Sequence, residues 1–130
     1  MTRQTDYALQ LILALRRATA EKPLSLKHFA KDSSISFLIL QKVARALRQW
    51  HIVAACKGRD GGYYLKKPVA EITVREVMEA VEGLLATAGC ACFLKHGRPE
   101  GRCRIRQGVW KLHQRVLELL EKTSVAELAK

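Results

Sequence analysis

Proline is scarce in this chain, with three in 130 residues, and no low-complexity run interrupts it. That leaves one domain, or one domain with an appendage. Long apolar runs are also missing. None approaches the roughly 20 consecutive residues that a membrane span needs, so a membrane partner is not expected. The first 22 residues, MTRQTDYALQLILALRRATAEK, begin basic and then turn apolar. They are amphipathic and lack a small-residue cleavage site, so they read as a helix and not a signal peptide. A cytoplasmic protein is the expectation. Catalytic patterns are absent too. No Ser/His/Asp set or pair of carboxylates in a glycine-rich pocket can be placed. No Gly-Lys-Ser/Thr follows a strand and precedes a helix, which excludes a phosphate-binding P-loop. An enzyme is not expected.

Acidic residues are few, 12 against 23 Lys and Arg, for a net charge of +11. The imbalance is uneven. Residues 1–70 hold 13 Lys and Arg against 4 Asp and Glu, a net of +9. Residues 71–130 hold 10 against 8, a net of +2. A basic half beside a near-neutral half points to a polyanion-binding part and a second part with another task. Apolar residues make up 48%, enough for a real core.

Periodicity predicts mostly helices. Tyr7, Ala8, Leu11, Ile12 and Leu15 place a helix over 4–19. A short helix within 23–33 starts at Ser25 and turns Leu26, Phe29 and Ala30 inward. A second helix covers 36–50, with Ser36 as its N-cap and Leu40, Val43, Ala44 and Leu47 as its buried stripe. IVAACK and YYLKK are short β-like runs around a glycine turn. A helix over 73–83 opens on a capping box of Thr73 and Glu76 and stops at Gly83. Residues 84–104 read as irregular. A long helix over 105–122 carries Ile105, Val109, Leu112, Val116, Leu117 and Leu120 on one side, and VAELAK closes as a helical turn.

Two short helices followed at once by a hairpin are the layout of a winged helix-turn-helix. The second helix then enters the major groove of double-stranded DNA, and the hairpin tip reaches the adjacent backbone or minor groove. Ser36, Leu38, Gln41, Lys42 and Arg45 are the candidate readers, with Lys57 and Arg59 on the wing. Gln41 can read an adenine edge and Leu38 a thymine methyl. The glycines of GRDGGYYLKK allow a tight tip whose N–H groups approach phosphates.

These segments resemble the Rrf-two type family of bacterial winged-helix transcription regulators, which respond to iron–sulfur status or nitric oxide. The likeness rests on TDYALQLILAL, ISFLILQKVARALRQWHIV, KGRDGGYYLKKPVAEITVREVMEAVEG and CRIRQGVWKLHQRVLELLEKTSVAELA, in that order, and covers nearly the whole chain. It implies a mainly α fold. Residues 1–83 are then the winged helix-turn-helix, 84–104 a cluster loop and 105–130 a homodimerisation helix with its terminal turn. His51 stands where the family usually has a glycine closing the recognition helix. Lys57 stands where many members have arginine, and an ammonium is a point charge where a guanidinium is a fork.

Four cysteines in a cytosolic setting suit metal, cluster or redox chemistry better than a disulfide framework. Three lie in GCACFLKHGRPEGRC. The resemblance puts Cys90 at the family's first ligand position, Cys103 near the third, and the middle one near His96, with Cys92 an additional thiol. Arg106 replaces a histidine found in some members, and a guanidinium cannot ligate iron. In some members an acidic residue of the partner's first helix completes the site, and Asp6 matches it. The implied cofactor is an iron–sulfur cluster, of the two-iron two-sulfur kind, sensing iron, redox state or nitric oxide. The alternative is a cluster-free regulator of the same fold, governed by a protein partner or by thiol or zinc chemistry. Cys56, His28, His113 and Trp110 read as packing or surface residues: Cys56 as a small buried hydrophobe, Trp110 as part of a dimer core.

Overall fold

A computed structural model of the chain describes residues 2–58, 61–83 and 104–130, the side chains of 104–106 excepted. It is mainly helical with one two-stranded sheet. Helix α1 spans Arg3–Leu15, and the Thr2 hydroxyl caps it by accepting from the Thr5 N–H at 3.3 Å. It ends four residues short of the expected 19. Thr19 and Lys22 instead exchange backbone hydrogen bonds of 3.1 Å, and the Thr19 hydroxyl takes the Lys22 N–H at 3.0 Å. A threonine that bonds its own neighbourhood competes with the helix, and here the turn wins.

Helix α2, Leu26–Ser33, opens on Ser25, whose hydroxyl accepts from the His28 N–H. Helix α3, Phe37–Gln49, opens on Ser36 as expected, but the Ser36 hydroxyl makes no capping bond. Ser36 is exposed, so water is free to serve the open N–H groups of that first turn. The predicted stripe of Leu40, Val43, Ala44 and Leu47 is fully buried. It meets Ala8, Leu11, Ile12 and Leu15 of α1 in the core, with Ile52, Ile72, Val77 and Val125 among its other members.

The end of α3 shows why position 51 favours glycine. His51 sits at φ 59°, in the left-handed region. Its N–H donates to the Arg48 carbonyl, and the Ile52 N–H donates to the Leu47 carbonyl, both at 3.0 Å. That is a Schellman closure, and its usual apolar clasp is present in buried Ile52 and Leu47. Histidine tolerates this backbone at a cost that glycine avoids. His51→Gly is expected to stabilise the protein by about 1 kcal/mol and raise its melting temperature by about 3–6 °C. Thermal unfolding followed by circular dichroism checks this, and an unchanged or lower midpoint contradicts it.

Strands β1 (Val53–Cys56) and β2 (Gly62–Leu65) form the hairpin, with Val53 opposite Leu65 and Cys56 opposite Gly62. The hairpin is also tied to the body. Leu24 and Tyr63 exchange both backbone hydrogen bonds at 2.9 Å, which adds a one-residue third strand.

A 3-10 turn, Val69–Glu71, leads to helix α4, Val74–Glu82. Its capping box is present in both directions, each bond at 3.1 Å. The helix stops at Gly83, whose φ is 92°. Helix α5 spans Arg104–Lys122 and α6 Val125–Leu128. The end of α5 is strapped to the start of α4, because Val74 donates to the Thr123 carbonyl at 2.9 Å and Val125 to the Ile72 carbonyl at 2.8 Å. Arg75 adds a polar clamp. It bonds Glu79 at 3.2 Å on its own helix and Glu121 of α5 at 2.9 Å. The Glu79 hydrogen bond is the main reason the Arg75 guanidinium is held even more firmly protonated than usual. Glu79 is only 9% exposed, so this pairing spares a nearly buried carboxylate from being left alone.

Helix α5 departs from the expected single apolar side. Leu117 is buried in the chain's own core region, while Val109, Leu112, Val116 and Leu119 are exposed. Two stripes of the same 3-4-3 spacing run side by side. One holds Trp110, His113, Leu117 and Leu120, all half-buried or buried. Trp110 is half-buried near the start of the described side chains of this helix.

Candidate nucleic-acid interface

Helix α3 presents its outer side to solvent because its inner stripe is committed to α1 and α4. Leu38, Gln41, Lys42 and Arg45 all lie on that outer side, and Leu38 is 75% exposed. An apolar side chain so far from the core has no packing reason to be there. The four residues line one trough of about 390 Å³, together with Arg48 of α3 and Tyr63 of β2. A second trough of about 330 Å³ lies toward the hairpin, with Lys27, Phe37, Cys56 and Gly62 along it. Gln41 and Tyr63 line both, so they form the ridge between the two. Lys27 holds its ammonium 5.9 Å from the Phe37 ring centre, within reach of a cation–π contact.

Charge on this side is of one sign. Lys42, Arg45 and Arg48 make no ion pair among the described residues. No carboxylate among the described residues lines either trough. A concave surface with free cations, an amide and a phenol suits a phosphodiester strand and the base edges beside it.

The structure thus brings together four of the sequence-predicted residues and adds two that the sequence reading passed over. Arg48 lies one turn beyond Arg45, so extending the outer stripe of α3 finds it. Tyr63 had no such signal, since its place depends on the pairing of Leu24 with β2. Ser36 is exposed at the start of α3, and Lys57 is exposed at the hairpin. Arg59 lies outside the described residues.

The hairpin glycines serve the fold more than a ligand. The Gly61 N–H is taken by the Gly58 carbonyl at 3.0 Å, so it is not free for a phosphate. A Cβ on Gly61 would stand 2.8 Å from the Cys56 and Gly58 carbonyl oxygens. On Gly62 it would collide with the Leu24 carbonyl. Cys56 is half-buried and not a core residue: it ends β1, and its thiol faces the Ala20 carbonyl at 3.5 Å.

Cys90, Cys92, His96 and Cys103 lie outside the described residues. Asp6 is described. It is exposed in the first turn of α1, and Gln10 Nε2 donates to its Oδ2 at 3.0 Å. Among the described residues no group of three or more metal-binding side chains occurs. His28 is exposed and sits 3.5 Å from Asp32, one turn along. No helix among the described residues is long and apolar enough to cross a membrane.

A family model described as "Rrf2: Iron-dependent Transcriptional regulator" matches residues 1–130. The HTH-type transcriptional regulator NsrR of Shouchella clausii is 31% identical over 134 residues, spanning 98% of this chain and 87% of that one. The HTH-type transcriptional regulator IscR of Serratia proteamaculans is 29% identical over 129 residues, spanning 98% and 77%. Among solved structures, CymR, the global cysteine regulator of B. subtilis, superposes with a TM-score of 0.77 at 24% identity, covering 99% of this chain and 95% of that one. At that identity the likeness speaks for the fold alone.

Proposed function

The chain belongs to the Rrf2 family of transcriptional regulators, and on that premise we propose that it binds a near-palindromic operator as a homodimer, under the control of a metal cluster held by residues 90–103. The observation that carries the DNA reading is the outer side of α3: an exposed leucine, a glutamine and three unpaired cations in one trough beside the hairpin. In this arrangement α3 lies in the major groove. Gln41 reads a base edge, Leu38 a thymine methyl, and Lys42 and Arg45 hold the strand, with Ser36 at the helix start and Lys57 and Arg59 on the wing. Gln41→Ala is expected to change preference by about 1–3 kcal/mol at one base pair. Selection from a random duplex library measures it, and an unaltered preference removes Gln41 as a reader.

The cluster reading rests on the chemistry of the donor set. Cys90 and Cys103 supply two thiolates, and Cys92 or His96 the third ligand, a mixture that suits iron–sulfur irons. When bound, such a cluster supplies a site that responds to iron supply, redox state or nitric oxide. Asp6 of a partner subunit would complete the site through Oδ1, since the Gln10 amide occupies only Oδ2. Residues 84–103 connect α4 to α5 in sequence, and α4 packs against α1, α3 and α5. A bound group alters DNA binding only by favouring one arrangement of these helices over another. Cys90→Ser and Cys103→Ser are each expected to lose the iron and its visible absorption while keeping a folded protein, since the core formed by the described residues is built without either thiol. Iron per subunit and the absorption spectrum, taken without air, decide this. Full iron in both variants refutes the ligand assignment. A colourless, metal-free wild-type protein that still binds DNA favours a cluster-free regulator with a protein partner, and a colourless, zinc-bearing one favours zinc.

A further inference from the structure

The trough between α3 and β2 has a feature that the reading side of a helix does not need. Its lining includes a phenol, Tyr63. Tyr63 is fixed from behind, because both of its backbone hydrogen bonds go to Leu24 at 2.9 Å and its ring packs against the core. Its hydroxyl has no hydrogen-bond partner among the described residues, although Gln41, Lys42, Arg45 and Arg48 line the same trough. Arg48, on the last turn of α3, lines the same trough and makes no ion pair among the described residues. That turn is pinned by the closure at His51 and Ile52. Two donors on two rigid elements thus face one concave space of about 390 Å³. The Tyr63 hydroxyl can donate its hydrogen and the Arg48 guanidinium its N–H groups, and no described carboxylate lines the trough to compete for them, which suits a phosphate.

We propose that Tyr63 and Arg48 form a clamp for one backbone phosphate of the bound strand, Tyr63 as the neutral donor and Arg48 as the charged one. The clamp sets how deeply α3 sits and so positions Gln41. The inference rests on the DNA-binding reading above. It also separates the two donors, because a neutral donor displaces no counterion while a cation does.

The probe is a duplex of about 30 base pairs, roughly three turns, selected from a random library by the wild-type protein. Tyr63→Phe keeps the ring and its packing, so its thermal midpoint should match the wild type. Its affinity is expected to fall about 3- to 10-fold on the selected duplex and on a scrambled one alike, with the salt slope unchanged. Arg48→Gln is expected to weaken both and lower the slope by about 1. Wild-type affinity in Tyr63→Phe, or a lowered salt slope in that variant, overturns the clamp. If the wild-type protein enriches no duplex, the DNA reading itself fails. If it enriches one and both variants bind like wild type, only the clamp fails.

Discussion

Gly62→Ala is expected to destabilise the protein by about 2–4 kcal/mol and to loosen the hairpin from the helices. The added methyl would meet the Leu24 carbonyl, which is backbone and cannot swing aside. Leu24 is held in place by two hydrogen bonds of 2.9 Å to Tyr63, the next residue along β2. Relief therefore means parting that bridge, at a cost of both bonds and of the packing they hold. Gly58 is the control. A Cβ there meets nothing within 4 Å, so Gly58→Ala carries only the strain of its φ of +119°, about 1–2 kcal/mol. Urea unfolding of the two variants should rank Gly62→Ala clearly the worse. Equal losses would mean that the close approach of Leu24 does not matter. DNA binding should follow the same order, because Tyr63 and Lys57 both depend on where the hairpin stands.

Gly62 also shows where sequence reading reaches its limit. The GRDGGYYLKK glycines were legible as a turn, since turn chemistry is local. Their physical reason was not, because the atom that excludes a side chain belongs to Leu24, far away in the chain. Signals within one helix fared well for the same cause. The stripe of Leu40, Val43, Ala44 and Leu47 and the box of Thr73 and Glu76 each need only the helical repeat and nearby atoms. The left-handed backbone at His51 was legible only through the family likeness, as a place where glycine is usual. Helix α5 was legible as a helix, but its apolar residues were read as one side. Val116 and Leu117 are neighbours about 100° apart, and only the folded chain tells which of them faces its own core. Four of the predicted DNA readers came together on α3 because an outer side follows once the inner stripe is known. Tyr63 joined them through strand pairing, which no local pattern announces.

Leu112→Glu is expected to turn the proposed homodimer into a monomer, weakening self-association about 1,000-fold. Val109, Leu112, Val116 and Leu119 recur at the 3-4-3 spacing of a coiled-coil seam, and Leu112 and Leu119 are 59% and 66% exposed. The chain's own packing uses the neighbouring stripe of Leu117, so the seam is left for another molecule. A second copy presents the same seam, and a two-fold axis places each substitution in the interface twice. An unpaired carboxylate in such a seam, with the loss of a leucine, costs about 2 kcal/mol per copy, hence about 4 per dimer. Lys111→Glu changes charge by two on an exposed position off the stripe and should leave the dimer intact. Light scattering over a concentration series gives the mass of each. Binding to a two-half-site duplex gives the consequence: paired recognition helices about one turn apart bind together, and a monomer holds one half-site weakly. The strap between α4 and α5 and the clamp of Arg75 on Glu121 keep this helix fixed to the DNA-reading unit, so a loss of half-site coupling reports on the seam and not on a loosened helix. A Leu112→Glu protein that keeps its dimer mass down to low concentration would show that the exposed seam is not where two copies meet.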